Sequence, residues 1–308
     1  CSTSTVWGND EARPLHCFVL RGESCYLCCR DDVGVFWYRV AKYRVPYCRF
    51  CLWLRSVRSH LDGSHVEPLT FVTFRWQPTP GYRSTFPVES VYSLHEMIRR
   101  HYHGEYRFVC VTDRPNELSG IEAMPLWSDY CDVPSPFGRS YPSCYRRLKL
   151  FSAEAVEMFG PRLVCIDLDM VIVKDITPVF SRPEDFVVWG ESDYPGRQAY
   201  NGSPWMLRTG TRTKVWTEFD PKTSPRKAWN AGSRGSDQGW MSYSLGKKEA
   251  KWTRQDGIYS WRKHIAKQGG KLPDDARIVA FHGKSDPWDY QMQKVPWIQE
   301  HYPLAVSA

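Results

Sequence analysis

The 308-residue chain has no long apolar run, and none of its stretches approaches the roughly 18 residues of a membrane-spanning helix. It lacks the glycine fingerprints of dinucleotide and P-loop sites, so any nucleotide must be held another way. It also lacks a concentrated basic stripe or a recognised DNA-binding motif. A net charge of +7 falls short of a nucleic-acid footprint but suits a phosphorylated substrate. No secretory h-region is visible, and the chain begins at Cys1 rather than Met, so its natural start is expected upstream. Cysteine is scarce over most of the length: seven of the 11 fall in residues 1–66, leaving Cys110, Cys131, Cys144 and Cys165 beyond. Cys110 and Cys165 sit within apolar runs, where a reduced buried thiol is the ordinary state, so a cytoplasmic location is expected.

Hydrophobic residues make up 42% and aromatics 15%, enough for a sizeable core in one large domain or a domain plus appendage. Residues 1–66 form the expected appendage, with no sustained period apart from Val33 to Val40. Cys25-Tyr-Leu-Cys28 and Cys48-Arg-Phe-Cys51 have the spacing of a four-thiolate zinc site. Cys29 is an extra thiol, and no glycine follows either pair to allow a tight knuckle. A zinc module, an unselected or disordered extension, and a metal-free appendage therefore all stay open.

Regular patterning begins at Leu69 and defines a main domain over 67–308. Leu69 to Trp76 reads as a strand rich in β-branched and aromatic residues. A helix is predicted from Pro87 to about His103, with Val88, Val91, Leu94, Ile98 and Tyr102 as its apolar stripe. Tyr106 to Thr112 gives a second strand, completing a βαβ unit and an expected parallel sheet. Ligands of such sheets gather at the carboxyl ends of strands, where Arg75, Trp76 and Asp113 lie. Tyr145 to Phe159 is predicted as one amphipathic helix carrying Arg146, Arg147 and Lys149, whose bland reading is a solvated basic face. Phe186 to Gly190 and Ala276 to His282 are further strand candidates, and Gly235 to Met241 opens a helix with Ser236 as cap.

The chemistry concentrates in Arg162-Leu-Val-Cys-Ile-Asp-Leu-Asp-Met-Val-Ile-Val-Lys174. Asp167 and Asp169 stand between two apolar runs, where unpaired charge is heavily penalised. In extended chain they share one face, with Leu168 on the other. A divalent metal is the obvious partner, since hard cations take carboxylate oxygens. His282, ending the last strand, can complete such a site. Lys284 two residues on can place a charge against a diphosphate.

These motifs, in their order over residues 69–290, resemble the GT-A-fold glycosyltransferases, particularly family 8, the glycogenin and bacterial galactosyltransferase group. The chain looks closest to small bacterial or phage-type members. The resemblance implies an α/β fold with a mostly parallel central sheet flanked by helices, and retaining transfer of a sugar from a nucleotide-diphosphate donor. It implies Mn²⁺ (or Mg²⁺) on Asp167, Asp169 and His282, and a phosphate contact from Lys284. Its base-binding region maps to Thr73, Arg75, Trp76 and Tyr82, with Asp113 and Lys149 as further donor-binding candidates. Asn201, Asp237 and Gln238 would face the donor sugar and the acceptor, which could be a glycan, a protein, a lipid-linked sugar or a modified base. The chain departs from the family where the acid after the first strand is replaced by Arg75-Trp76, and where Asp286, not Lys, precedes Pro287-Trp288.

Two other classes fit parts of the sequence. Asp167-Leu-Asp169-Met-Val171 also matches a haloacid-dehalogenase-type phosphatase, with Asp167 as nucleophile and Asp169 as acid/base. That motif normally opens its domain, and the needed second acidic cluster, Asp274-Asp275, here precedes its strand. A non-enzymatic carbohydrate-binding module is suggested by the 14 Trp, but it sits poorly with the βαβ pattern.

Overall fold

A computed structural model of the chain describes residues 68–77, 86–191, 198–283 and 285–303 and, as backbone alone, four strands within residues 5–39. The chain divides into two compact units, Cys1–His65 and Val66–Ala308. In the first, β1 (Thr5–Val6), β2 (Leu15–His16), β3 (Tyr26–Asp31) and β4 (Gly34–Arg39) pair antiparallel in chain order. The zinc reading of Cys25, Cys28, Cys48 and Cys51 lies outside the described residues, except that the backbone of Cys28 runs within β3.

The second unit is built on the expected βαβ start. β5 (Leu69–Arg75) and β6 (Tyr106–Thr112) pair parallel along all seven residues, from Leu69↔Tyr106 to Arg75↔Thr112. The crossover helix α1 (Val88–His101) has Pro87 at its N-cap and buries Val91, Leu94, Met97 and Ile98. After β7 (Glu122–Pro125) come β8 (Arg162–Cys165), β9 (Met170–Ile172), β10 (Phe186–Trp189) and β11 (Trp205–Arg208). β12 (Ala250–Trp252), β13 (Ile258–Ser260) and β14 (Ile278–Ala280) complete the strands. Seven of them form one sheet, in the order β12-β10-β11-β8-β5-β6-β7. Four of its six pairings are parallel, and β11 alone runs against its neighbours. β13, β14 and β9 make a separate three-stranded sheet. The fold is α/β with a mixed, mostly parallel central sheet.

The alternation along each strand feeds two cores. Phe71, Cys110 and Val164 join α1 on one face, while Val72, Val109, Leu163 and Cys165 join Phe151 and Trp205 on the other. A sheet buried on both faces explains why its strands read as nearly unbroken apolar runs. Each large side chain removed from water there contributes about 1.5–3 kcal/mol.

Three sequence expectations need correction. Tyr145 to Phe159 is not one helix but a 3₁₀ segment, Tyr145–Phe151, and then α2 (Ala155–Phe159). Tyr145, Leu148 and Phe151 recur every three residues and are all buried, matching 3.0 residues per turn rather than 3.6. The Asp-X-Asp stretch is not extended chain either: Leu168 and Asp169 form a turn that carries the backbone from β8 into β9 of the smaller sheet. Leu168 is buried in the core. The last strand is also shorter than predicted, covering Ile278–Ala280 within the 276–282 run.

Candidate active site

In the large sheet β6 and β7 lie to one side of β5, and β8 lies to the other. The strand order therefore reverses between β5 and β8, and ligands of open α/β sheets bind beyond the strand ends at such a point. β8 is held there by parallel pairing to β5, extended by Ile166 N–H donating to the Val72 carbonyl at 3.0 Å. Asp167 follows directly. Its own N–H donates to Ser203 Oγ at 2.9 Å, fixing the residue against the loop before β11.

A guanidinium organises what lies around it. Arg147, 6% exposed, donates from Nη1 to Asp167 Oδ1 at 2.5 Å, from Nε to Asp237 Oδ2 at 2.7 Å, and from Nη2 to the Gly202 carbonyl at 3.2 Å. Burial alone would lower its pKa, but Asp167 and Asp237 outweigh that and hold it well above the ordinary arginine value. In the 3₁₀ segment residues three apart eclipse, so Arg147 shares a row with buried Leu150 rather than a wet face. Asp237 opens α6 (Asp237–Leu245; α3, α4 and α5 are Thr177–Phe180, Lys214–Thr217 and Ser224–Asn230), where an acid suits the helix dipole. Ser236 stands at the expected N-cap position without capping. Its hydroxyl accepts from Cys144 N–H at 2.9 Å and lies 3.3 Å from Asp237 Oδ1.

Gln238 lies beside this clamp. A Cβ on Gly202 would stand 3.1 Å from both Arg147 Nη2 and Gln238 Oε1, and one on Gly235 only 2.4 Å from Gln238 Nε2. Gly235 also has φ +90°, so both geometry and space call for glycine. Asn201 supports the same loop, its Oδ1 accepting from Gly202 N–H at 2.7 Å and its Nδ2 donating to the Glu191 carbonyl at 3.0 Å.

The acids are poised differently. Burial pushes the Asp167 carboxyl up, with Arg147 opposing. Asp169 is driven well above the usual carboxylate range by burial first, then by Asp167 and by Asp286. No ion pair reaches Asp169 among the described residues. His282 follows β14, whose register Ala280↔Met170 continues into Phe281 N–H donating to the Asp169 carbonyl at 2.9 Å. The imidazole turns elsewhere: Nε2 is 2.7 Å from Ser260 Oγ and Nδ1 is 3.4 Å from Arg262 Nη2. Among the described residues, no three His, Cys, Asp or Glu side chains come close enough to hold a metal unaided.

The remaining candidates scatter. Arg75 is buried, donating from Nε to the Phe86 carbonyl at 2.9 Å and pairing with Glu117 at 2.7 Å. Lys149 pairs with Asp129 at 2.9 Å and Glu154 at 3.3 Å. Asp113 accepts from Gln77 N–H at 2.8 Å. Thr73 is fully buried with its hydroxyl unpartnered among the described residues, and Trp76 packs edge-on to Phe74 with ring centroids 5.8 Å apart. Tyr82 and Lys284 lie outside the described residues. Sequence reasoning read Arg147 as part of a solvated basic face and gave Ser203 and Ser260 no role of their own. For Arg147 the available signal was the three-residue spacing of its apolar neighbours.

The rival readings meet specific obstacles. Asp275, needed by the phosphatase, accepts from the Tyr259 hydroxyl at 2.8 Å on the edge of the small sheet. Trp189, Trp205 and Trp252 are wholly buried and so cannot stack on a sugar.

No protein-family model matches the chain, and no curated protein matches it. Among solved structures, the apo form of the glycosyltransferase GlyE from Streptococcus pneumoniae TIGR4 superposes with a TM-score of 0.45 at 12% identity, over 72% of this chain and 56% of that one. A second GlyE structure gives the same TM-score and identity, over 78% of this chain and 66% of that one. The chain spans 56–66% of the length of those structures, and its likeness to them is a distant likeness of fold.

Proposed function

We propose that the chain is a glycosyltransferase that moves a sugar from a nucleotide-diphosphate donor to an acceptor with metal assistance, in the manner of the retaining family 8 enzymes. The observation that carries this reading is Asp167-Leu-Asp169 at the carboxyl end of β8, beside the point where the strand order reverses, with Asp169 half-buried and met by no ion pair among the described residues. The donor chemistry fits a hard divalent cation. Such ions are commonly held by one or two carboxylates, with substrate phosphates and water filling the other positions. Asp167 and Asp169 would hold such a cation, which when bound would supply charge neutralisation for the departing diphosphate.

The protein's own residues do the positioning. Arg147 fixes Asp167 at one end and Asp237 at the other, so the cation end and the sugar end of the site share one rigid brace. Asp237, buried and paired with a guanidinium, is a poor nucleophile, which favours acceptor attack from the leaving-group side over a covalent intermediate. Gln238, held beside Gly202 and Gly235, supplies an amide group toward the sugar, and Asn201 braces the same loop through its bonds to Gly202 and Glu191. Lys284 is the proposed partner of the distal phosphate, Trp76 and Tyr82 of the base.

The test is a panel of nucleotide sugars incubated with Mn²⁺ and scored for nucleotide diphosphate release without acceptor, with a phosphomonoester run in parallel. Metal-dependent release from one or a few donors supports the reading. Phosphomonoester hydrolysis without any donor turnover would replace it with the phosphatase reading.

A further inference from the structure

We propose that Phe137, with the aromatic rings around it, is an acceptor platform that takes a pyranose ring of an oligosaccharide, so that the sugar is passed to a glycan. The inference rests on the transferase reading above and names its acceptor class. Two segments lead into the Arg147–Asp237 clamp. The loop 133–144 runs straight into the 3₁₀ segment of Arg147, and residues 229–236 run from the end of α5 into α6. These segments meet twice. Beside the clamp, Cys144 N–H donates to Ser236 Oγ at 2.9 Å. Farther out, the Phe137 ring meets Trp229 edge-on, with centroids 5.2 Å apart. The aromatic patch is therefore the outward continuation of the Asp237 end of the site.

The rings are held in place before any ligand arrives. Pro134, Pro136 and Pro142 restrict the loop backbone. Ser143 Oγ donates to the Val133 carbonyl at 2.6 Å and closes the base of the loop. Gly138, at φ +111°, turns its tip, where Gly138 N–H donates to the Ser135 carbonyl at 2.9 Å and Tyr141 N–H to the Gly138 carbonyl at 3.1 Å. Trp229 is fixed by Arg234, whose guanidinium lies 3.8 Å over the ring and donates from Nη1 to the Trp229 carbonyl at 3.1 Å. Such preorganisation lowers the ordering cost of binding.

Phe137 is nonetheless 39% exposed, and Tyr141, whose ring centroid is 5.6 Å away, is 48% exposed. Clustered rings rigidly presented to solvent mark an interaction surface. One face of a pyranose offers C–H bonds to the negative face of an aromatic ring, while its hydroxyls turn outward to a polar rim. Arg139 and Ser140, both exposed, follow Phe137 directly and supply that rim. A lipid chain laid on the same rings would desolvate the rim without replacing its hydrogen bonds. A nucleic-acid strand needs a groove of cations tracking its backbone, whereas residues 133–144 hold one cation, Arg139.

The test is saturation-transfer NMR on the full chain with a panel of trisaccharides containing glucose, galactose or N-acetylglucosamine, irradiating the aromatic protons of the protein. At least one member should bind, with the strongest transfer to C–H protons on one face of a ring. Phe137→Ala should weaken that binding about two- to tenfold, the range for one aromatic contact. Phe137→Leu should weaken it by a similar factor because leucine has no π face, and Phe137→Tyr should bind like the wild type. The melting temperatures of all three variants should match the wild type. Unchanged binding by Phe137→Ala, or no binding by any trisaccharide, overturns the platform. Binding lost in Phe137→Ala but kept in Phe137→Leu also overturns it, in favour of an apolar partner. Nucleotide diphosphate release by the wild type decides the transferase reading separately. Release without trisaccharide binding fails this inference alone, whereas binding at Phe137 without release from any donor keeps the sugar-binding surface and fails the transferase reading.

Discussion

Arg147→Met is the perturbation that most directly probes the architecture of the site. It keeps the length of the side chain while removing the guanidinium that holds Asp167, Asp237 and the Gly202 carbonyl. Taking away one partner of a buried ion pair costs about 3–5 kcal/mol, chiefly because the other charge is left buried alone. The two acids do not share this equally. The Asp237 side chain is 4% exposed and bears nearly the full penalty, whereas that of Asp167 is 36% exposed and is partly hydrated. For a folded unit of this size, the loss corresponds to a fall in Tm of roughly 6–20 °C. The assay is urea unfolding followed by tryptophan fluorescence at pH 7, with the slope checked for two-state behaviour.

The companion variant is Arg147→Met with Asp237→Asn. Removing the orphaned charge should make the double variant more stable than Arg147→Met, even though Asp237→Asn destabilises the wild type. The penalty should also shrink as pH falls, because Asp167, already pushed up by burial, loses the opposing effect of Arg147 and takes a proton more readily. A loss below about 1 kcal/mol, with Asp237→Asn having the same effect in both backgrounds, would mean that Arg147 is a solvated surface group.

Three further outcomes are expected. Asp169→Asn should abolish metal-dependent nucleotide binding by calorimetry and leave the metal-free Tm unchanged or raised. The folded-state pKa of Asp169 is raised, so wild-type stability from this group is lost as pH climbs from the unfolded value of about 3.9, and the Tm gain of the variant should widen over that window. Gly235→Ala forces a Cβ to within 2.4 Å of Gln238 Nε2 at a positive φ, so donor turnover should fall while stability drops by about 1–3 kcal/mol on urea unfolding. A chain beginning at His65 should fold and bind nucleotide like the full-length protein; loss of either would show that residues 1–64 belong to the catalytic unit.

The sequence spoke most clearly where a single geometric period governed the chain. The βαβ start was readable because Leu69 to Arg75 and Tyr106 to Thr112 are buried on both faces and joined by one amphipathic helix with 3.6-residue spacing. Tyr145 to Phe151 was misread because period 3 and period 3.6 nearly coincide over seven residues, and the misreading turned a buried clamp into a solvated basic face. The short strands β12 and β13 were invisible because three-residue strands carry too few side chains to establish an alternation.

The site shows the same division. Asp167 and Asp169 stood out because two acids between apolar runs are anomalous in one dimension. Their neighbours Ser203 and Asp237 lie 36 and 70 residues after Asp167 and meet it only through the return of β11 and α6 to the end of β8. The replacement of Lys by Asp at position 286 was visible as a departure from the family pattern, and the fold buries that acid in a turn closed by Asp289.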